Sequence, residues 1–170
     1  LREMHAPTEY EPLLKTFFTV SYVLLAAFVG AFADSMPKWR VMLISNTIKI
    51  GGCGMMFFGA HPLLAYAVVG LGAAAYSPAK YGILTELLPP EKLVVANSWM
   101  EGTTVAAIVL GAIIGGALIN PHLAEHILNS AGLSNIVIAP KFAIIAVTSL
   151  YLGAALINLF IPRLPIDHKL

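Results

Sequence analysis

Three charged residues, Lys49, Lys80 and Glu101, stand in stretches that are otherwise apolar. An ion at membrane depth costs at least a few kcal/mol, so it usually faces protein or water and marks a pathway. An ammonium is a suitable point-charge partner for a phosphate. Each charge also has polar or small neighbours at helical spacing, where positions three and four apart share a face. Lys49 has Ser45 and Asn46, with Gly52 and Cys53 beyond; Lys80 has Tyr76 and Ser77; Glu101 has Asn97, Ser98 and Thr104. These stripes are expected to face a cavity or another helix. Plainer roles stand beside that one. Glu101 neutralises Lys80 or Lys49 in a structural pair, or Lys49 snorkels to the headgroups along its long stem.

The elements that position these residues follow from composition. Of 170 residues, 58% are hydrophobic and 11% charged, against about 25% charged in a soluble domain. Mean hydropathy is +0.82. The apolar residues come in blocks of about 20, enough to cross a hydrocarbon core of about 30 Å. The chain is therefore expected to be all-α, a polytopic membrane helix bundle, because lipid offers backbone groups no partner and the blocks do not alternate as barrel strands do. Five spans are expected, at about 13–33, 41–60, 63–88, 94–119 and 139–161. The connections are short except for 120–138, so neighbouring helices run antiparallel. The first residues lack the basic-then-apolar order of a signal peptide. The chain begins at Leu1 and not at a methionine, which suggests a fragment. One cysteine, Cys53, permits no internal disulfide, and a net charge of +1 suggests no nucleic-acid partner.

Basic residues set the expected orientation. Lys38, Arg40, Lys92, Arg163 and Lys169 fall on one side, which is read as cytoplasmic. The amino terminus then lies outside. Counting in from the helix ends at about 1.5 Å per residue puts Lys49, Lys80 and Glu101 at one level, about 10–12 Å into the cytoplasmic half. Within GLGAAAYSPAKYG, Pro78 removes a backbone donor near Ala74 and is expected to kink the helix, while the small residues allow close approach. Gly111 and Gly115 form a second small-residue face. His122-Leu-Ala-Glu125-His126 matches a zinc-protease pattern, but no third ligand follows until Asp167; it is read as a solvated outer loop with no metal.

The segment GAFADSMPKWR, Gly30 to Arg40, closes the first span. Asp34 opposes its own helix dipole there and needs Lys38, Arg40 or another helix's amino terminus as partner. The segment resembles the signature loop between the second and third helices of major facilitator superfamily transporters, roughly G-x-L-A-D-x-x-G-R-[KR]. Gly30, Ala33 and Asp34 match, Lys38 takes the arginine position and Arg40 adds charge. Pro37 stands where the family usually has glycine, and Trp39 where it has a basic residue. The resemblance implies a latch that holds the cytoplasmic gate closed. The plainer alternative is a surface ion pair worth under about 1 kcal/mol.

From Phe28 to about Ile119 the chain resembles one branch, the bacterial lysophospholipid transporters. The likeness is densest in VVGLGAAAYSPAKYGILTEL and continues in KLVVANSWMEGTTVAAIVLGAIIGG. It implies a transporter and not an enzyme, built of twelve helices in two lobes. The visible spans would be helices two to six of the amino-terminal lobe, with helix one and the second lobe outside this chain. The implied activity is flipping of lysophosphatidylethanolamine and lysophosphatidylglycerol across the bacterial inner membrane. A partner acyltransferase-synthetase, sometimes fused, then reacylates the lipid. No cofactor is implied. Lys80 would contact the phosphate, and Glu101 with Asn97 the ethanolamine or glycerol end, or Glu101 would hold Lys80 in place. Tyr76 would flank the headgroup, and the lobes would rock about the site. Two other classes stand beside this one: a proton-coupled exporter of drugs or metabolites with Glu101 as proton carrier, and a membrane scaffold that docks an acyltransferase.

Overall fold

The computed structural model describes residues 10–130 and 139–162. Among them every regular element is a helix: α1 Tyr10–Ser35, α2 Lys38–Phe57, α3 Pro62–Leu87, α4 Pro90–Leu118, α5 Pro121–Ser130 and α6 Ala139–Asn158. Proline sets several starts. Pro62, Pro90 and Pro121 each open a helix, where the missing N–H is one that a first turn leaves unpaired anyway. The α2–α3 turn is closed by Gly59 at φ +81°. Its N–H reaches the Met56 carbonyl at 3.2 Å and that of Ala60 reaches Met55 at 2.9 Å. This is the paired cap of a helix ending in a left-handed residue, which glycine adopts without a Cβ clash.

The expected outer loop is partly helical. Asn120 Oδ1 accepts the His122 N–H at 3.1 Å, so Asn120 caps α5 and Pro121 begins it. His122, Glu125 and His126 are exposed on α5. The tail cations Arg163 and Lys169 lie outside the described residues.

α3 is the hub. It packs against α1 and α2, and α2 in turn packs against α6. Apolar surface alone does not draw helices together in lipid, so association relies on close packing, which small residues permit. The buried positions of α3 are Ala65, Gly70, Gly72, Ala74, Ala75, Ala79 and Ile83. A Cβ at Gly72 would lie 2.7 Å from the Ser45 carbonyl oxygen on α2, and one at Gly70 would lie 2.8 Å from the Phe18 carbonyl oxygen on α1. Toward the Ser35–Lys38 end, Ala33, Val41, Met42, Ala79 and Ile83 close one core cluster. α3 runs through Pro78 as a single helix.

α4 differs from the other long helices. It buries none of its residues, and nothing among the described residues lies within 4 Å of a Cβ built at Gly111 or Gly115. The small-residue face expected to pack helices is uncovered by the described residues. The helices Pro62–Leu87 and Pro90–Leu118 and the segment Pro140–Asn158 are long and apolar enough to cross a membrane.

Candidate functional site

Lys80 projects from α3 into a cleft of about 390 Å³ shared with α4. Met42, Tyr76 and Ile83 line one side, and Met100, Thr103, Thr104 and Ala107 the other. Its Nζ donates to Thr104 Oγ1 at 2.5 Å and lies 5.0 Å from the centre of the Tyr81 ring. Thr104 Oγ1 in turn donates to the Met100 carbonyl at 2.6 Å. The Tyr81 hydroxyl donates to Glu101 Oε1. Lys80 and Glu101 thus share a level on antiparallel helices, as expected, but they do not pair. Among the described residues the ion pair is Lys38–Asp34. The structural pair in which Glu101 neutralises Lys80 is replaced by two separate hydrogen bonds, with Tyr81 between them. Asn97 is exposed on α4, and it is not among the residues that line the cleft.

Lys49 meets the expectation for its stripe and departs from that for its depth. Its stripe is buried: Ser45, Asn46, Gly52 and Cys53 all face the bundle interior with it. It does not snorkel to the headgroups. Nζ meets Asn46 Oδ1 at 3.3 Å and sits 4.2 Å from the Tyr76 ring centre and 5.3 Å from that of Tyr151 on α6. Nor does its backbone lie level with Lys80. Gly72 faces Ser45 and Lys49, whereas Gly82 faces Lys38. In that register Lys80 stands opposite the first turn of α2, about 12 Å along the axis from Lys49. Counting from helix ends failed because α3 has 26 residues and α2 has 20.

The signature loop is compact. Lys38 Nζ donates to Asp34 Oδ1 at 2.7 Å and to the Ala33 carbonyl at 2.9 Å. One cation thereby answers the carboxylate and a last-turn carbonyl of α1, both favoured by positive charge at a helix carboxyl end. Its side chain is 12% exposed, against 81% for Asp34. The Lys38 stem crosses Gly82 of α3, whose built Cβ would lie 3.0 Å from Lys38 Cε. Arg40 takes no part in the pair; its guanidinium lies 5.3 Å from the Trp39 ring centre. Gly30 has nothing within 4 Å of a built Cβ among the described residues.

Sequence reasoning missed Tyr81, Gly82 and Tyr151. Tyr81 and Gly82 stand in the same run as Lys80, and a tyrosine beside an intramembrane charge was the available signal. Tyr151 contacts Lys49 across about a hundred residues of chain, and no local pattern announces it.

A cation-bearing cleft on a small-residue hub helix, with the Asp34–Lys38 loop at one end, describes a membrane helix bundle of transporter type. A family model described as Major Facilitator Superfamily matches residues 12–169. The chain belongs to that superfamily and is a multi-pass membrane protein. More narrowly, it is 45% identical to the lysophospholipid transporter LplT of Klebsiella pneumoniae subsp. pneumoniae over 165 residues, 97% of this chain and 37% of that protein. Similar values hold for the proteins of the same name from Enterobacter sp., 45% over 94% of the chain, and Serratia proteamaculans, 43% over 99%. The chain spans 36% and 38% of their respective lengths. No solved structure matches it.

Proposed function

We propose that this chain is a partial amino-terminal lobe of a lysophospholipid transporter, with all five long helices crossing the membrane. The observation that carries it is the identity to LplT proteins over nearly the whole chain. The geometry supplies a mechanism. The Lys80 ammonium is held in a cleft lined mainly by apolar side chains, with a hydroxyl and not a carboxylate as its hydrogen-bond partner. It is the contact for the anionic phosphate of a lysophospholipid. Glu101, held by Tyr81, meets the ethanolamine or glycerol end, and Tyr76 flanks the headgroup. Asn97 joins Glu101 only if the cleft closes on substrate. The acyl chain stays in lipid or in an apolar groove. Asp34 and Lys38, with Gly30 and Arg40 beside them, form the cytoplasmic gate element, and Pro78 is where α3 bends during rocking.

The amino terminus faces the periplasm and the carboxyl terminus the cytoplasm of a bacterial inner membrane, where an acyltransferase-synthetase reacylates the lipid. Lys80→Ala is expected to abolish lysophosphatidylethanolamine uptake by spheroplasts while the protein still inserts. Normal uptake would remove Lys80 from the site. Transport that follows the proton gradient and ignores lysolipid would favour the exporter class. Partner acyltransferase activity that needs the chain but survives loss of Lys80 would favour the scaffold.

A further inference from the structure

The cleft leaves one buried charge unused. Lys49 stands behind it, enclosed by α2, α3 and α6, and is 8% exposed. An ammonium offers three donors. One meets Asn46 Oδ1 at 3.3 Å, and the rings of Tyr76 and Tyr151 attract the charge without acting as full acceptors. Asn46 is 2% exposed, and its amide nitrogen is buried without an acceptor among the described residues. That nitrogen belongs to the same amide whose oxygen faces Lys49. Unmet ammonium donors and an unmet amide nitrogen therefore lie on side chains three residues apart on α2, both buried, with no carboxylate among the described residues within ion-pair reach.

Buried donors left unmet are costly, and a buried cation more so without a counter-charge. A water would satisfy geometry but leave the charge uncompensated. An oxyanion satisfies both. Access has a visible wall: Tyr76 lies under the Lys49 ammonium and also lines the Lys80 cleft.

We propose that Lys49 and Asn46, walled by Tyr76 and Tyr151, form a second, deeper oxyanion-binding site that takes a phosphate group. The proposal goes beyond the reading of the Lys80 cleft and does not require it. The phosphate comes from a lipid headgroup or from a small soluble ester, and the test separates the two.

The test measures thermal unfolding of the full-length transporter in a neutral maltoside detergent. The probes are sn-glycerol 3-phosphate, lysophosphatidylglycerol and uncharged monoacylglycerol. In the wild type the phosphate probes raise the midpoint in a saturable way and monoacylglycerol does not. A rise with glycerol phosphate assigns a site for the group alone; a rise confined to the lysolipid assigns a headgroup site. Lys49→Met, which keeps the chain length, weakens the phosphate effect about 10- to 100-fold, the loss of one charge-assisted hydrogen bond. Asn46→Asp keeps the shape and supplies an internal carboxylate. It raises the midpoint without ligand and removes the phosphate effect, and it decides the matter if Lys49→Met fails to insert. Lys80→Ala retains an effect that depends on Lys49, whatever it does to uptake, so failure of the cleft reading and failure of this site are told apart. No phosphate effect in the wild type, or a wild-type effect in both Lys49→Met and Asn46→Asp, overturns the proposal. So does an effect lost in Lys80→Ala and kept in Lys49→Met.

Discussion

Gly72→Ala tests the seam on which both polar sites depend. The new methyl would lie 2.7 Å from the Ser45 carbonyl oxygen, 2.8 Å from Lys49 Cγ and 3.2 Å from the Lys49 nitrogen. Two of these are backbone atoms on α2, which cannot rotate away. Restoring ordinary contact requires α2 to retreat by about 0.7 Å, a gap that forfeits about a quarter to a half of the dispersion energy at each contact it opens. Overpacking of this kind costs about 1–3 kcal/mol. Alanine recovers about 0.5–1 kcal/mol over glycine in a helix interior. The expected net loss is about 1–2 kcal/mol, the backbone clash favouring the larger cost. Gly51→Ala is the control, since nothing among the described residues lies within 4 Å of its built Cβ. It should be neutral or stabilising by up to about 1 kcal/mol. Denaturant unfolding of the full-length protein in mixed micelles measures both. If Gly72→Ala is as stable as Gly51→Ala, α2 and α3 do not meet in this register, and the separation of Lys49 from Lys80 fails with it.

Three further outcomes are expected. Gly82→Val displaces the flexible Lys38 side chain; stability changes by under about 1 kcal/mol, as for a surface pair, but lysolipid uptake slows with affinity unchanged, and equal loss of affinity would count against the gate. Tyr81→Phe and Glu101→Gln, combined in a double-mutant cycle of uptake efficiency, show a coupling of about 0.5–3 kcal/mol; additivity would mean that the two do not act together. Asn120→Ala removes the α5 cap and costs about 0.5–2 kcal/mol locally, seen as faster amide exchange in α5, whereas Asn120→Asp preserves protection.

The sequence showed some of this for physical reasons and hid the rest. Helix existence was legible because blocks of about 20 apolar residues have few other solutions in lipid. Lys38 as partner of Asp34 was legible because four residues bring the two together around one helix end. The α5 helix was signalled by Asn120-Pro121, a cap followed by a first-turn proline, but a mildly polar composition concealed it. Lys49 was misplaced in depth because sequence gives no interhelical register. That register is fixed by Gly52 and Gly72, where backbone of the facing helix comes close, and by Gly82, which gives room to the Lys38 side chain. The Tyr81–Glu101 bond was hidden for a different reason. Successive helical residues point about 100° apart, so a stripe drawn at three and four residues from Lys80 passes Tyr81 by.

The separation of Lys80 from Glu101 bears on how a cleft of this kind can release what it binds. A direct ion pair in a medium of low dielectric is deep enough to resist exchange, and breaking it leaves an uncompensated charge. On the proposed function, a headgroup carrying both signs would have to break such a pair at every cycle. The arrangement avoids that. Lys80 gives up Thr104, and Glu101 gives up Tyr81. Each is a hydrogen bond between a charged and a neutral group, worth about 1.5–3 kcal/mol. On the proposed function the phosphate and the ammonium or hydroxyl end would replace them with contacts of similar kind. Tyr81 is then the spacer that keeps the two charges from satisfying each other, and on the proposed function Thr104 would be the acceptor that keeps Lys80 from standing bare between substrates.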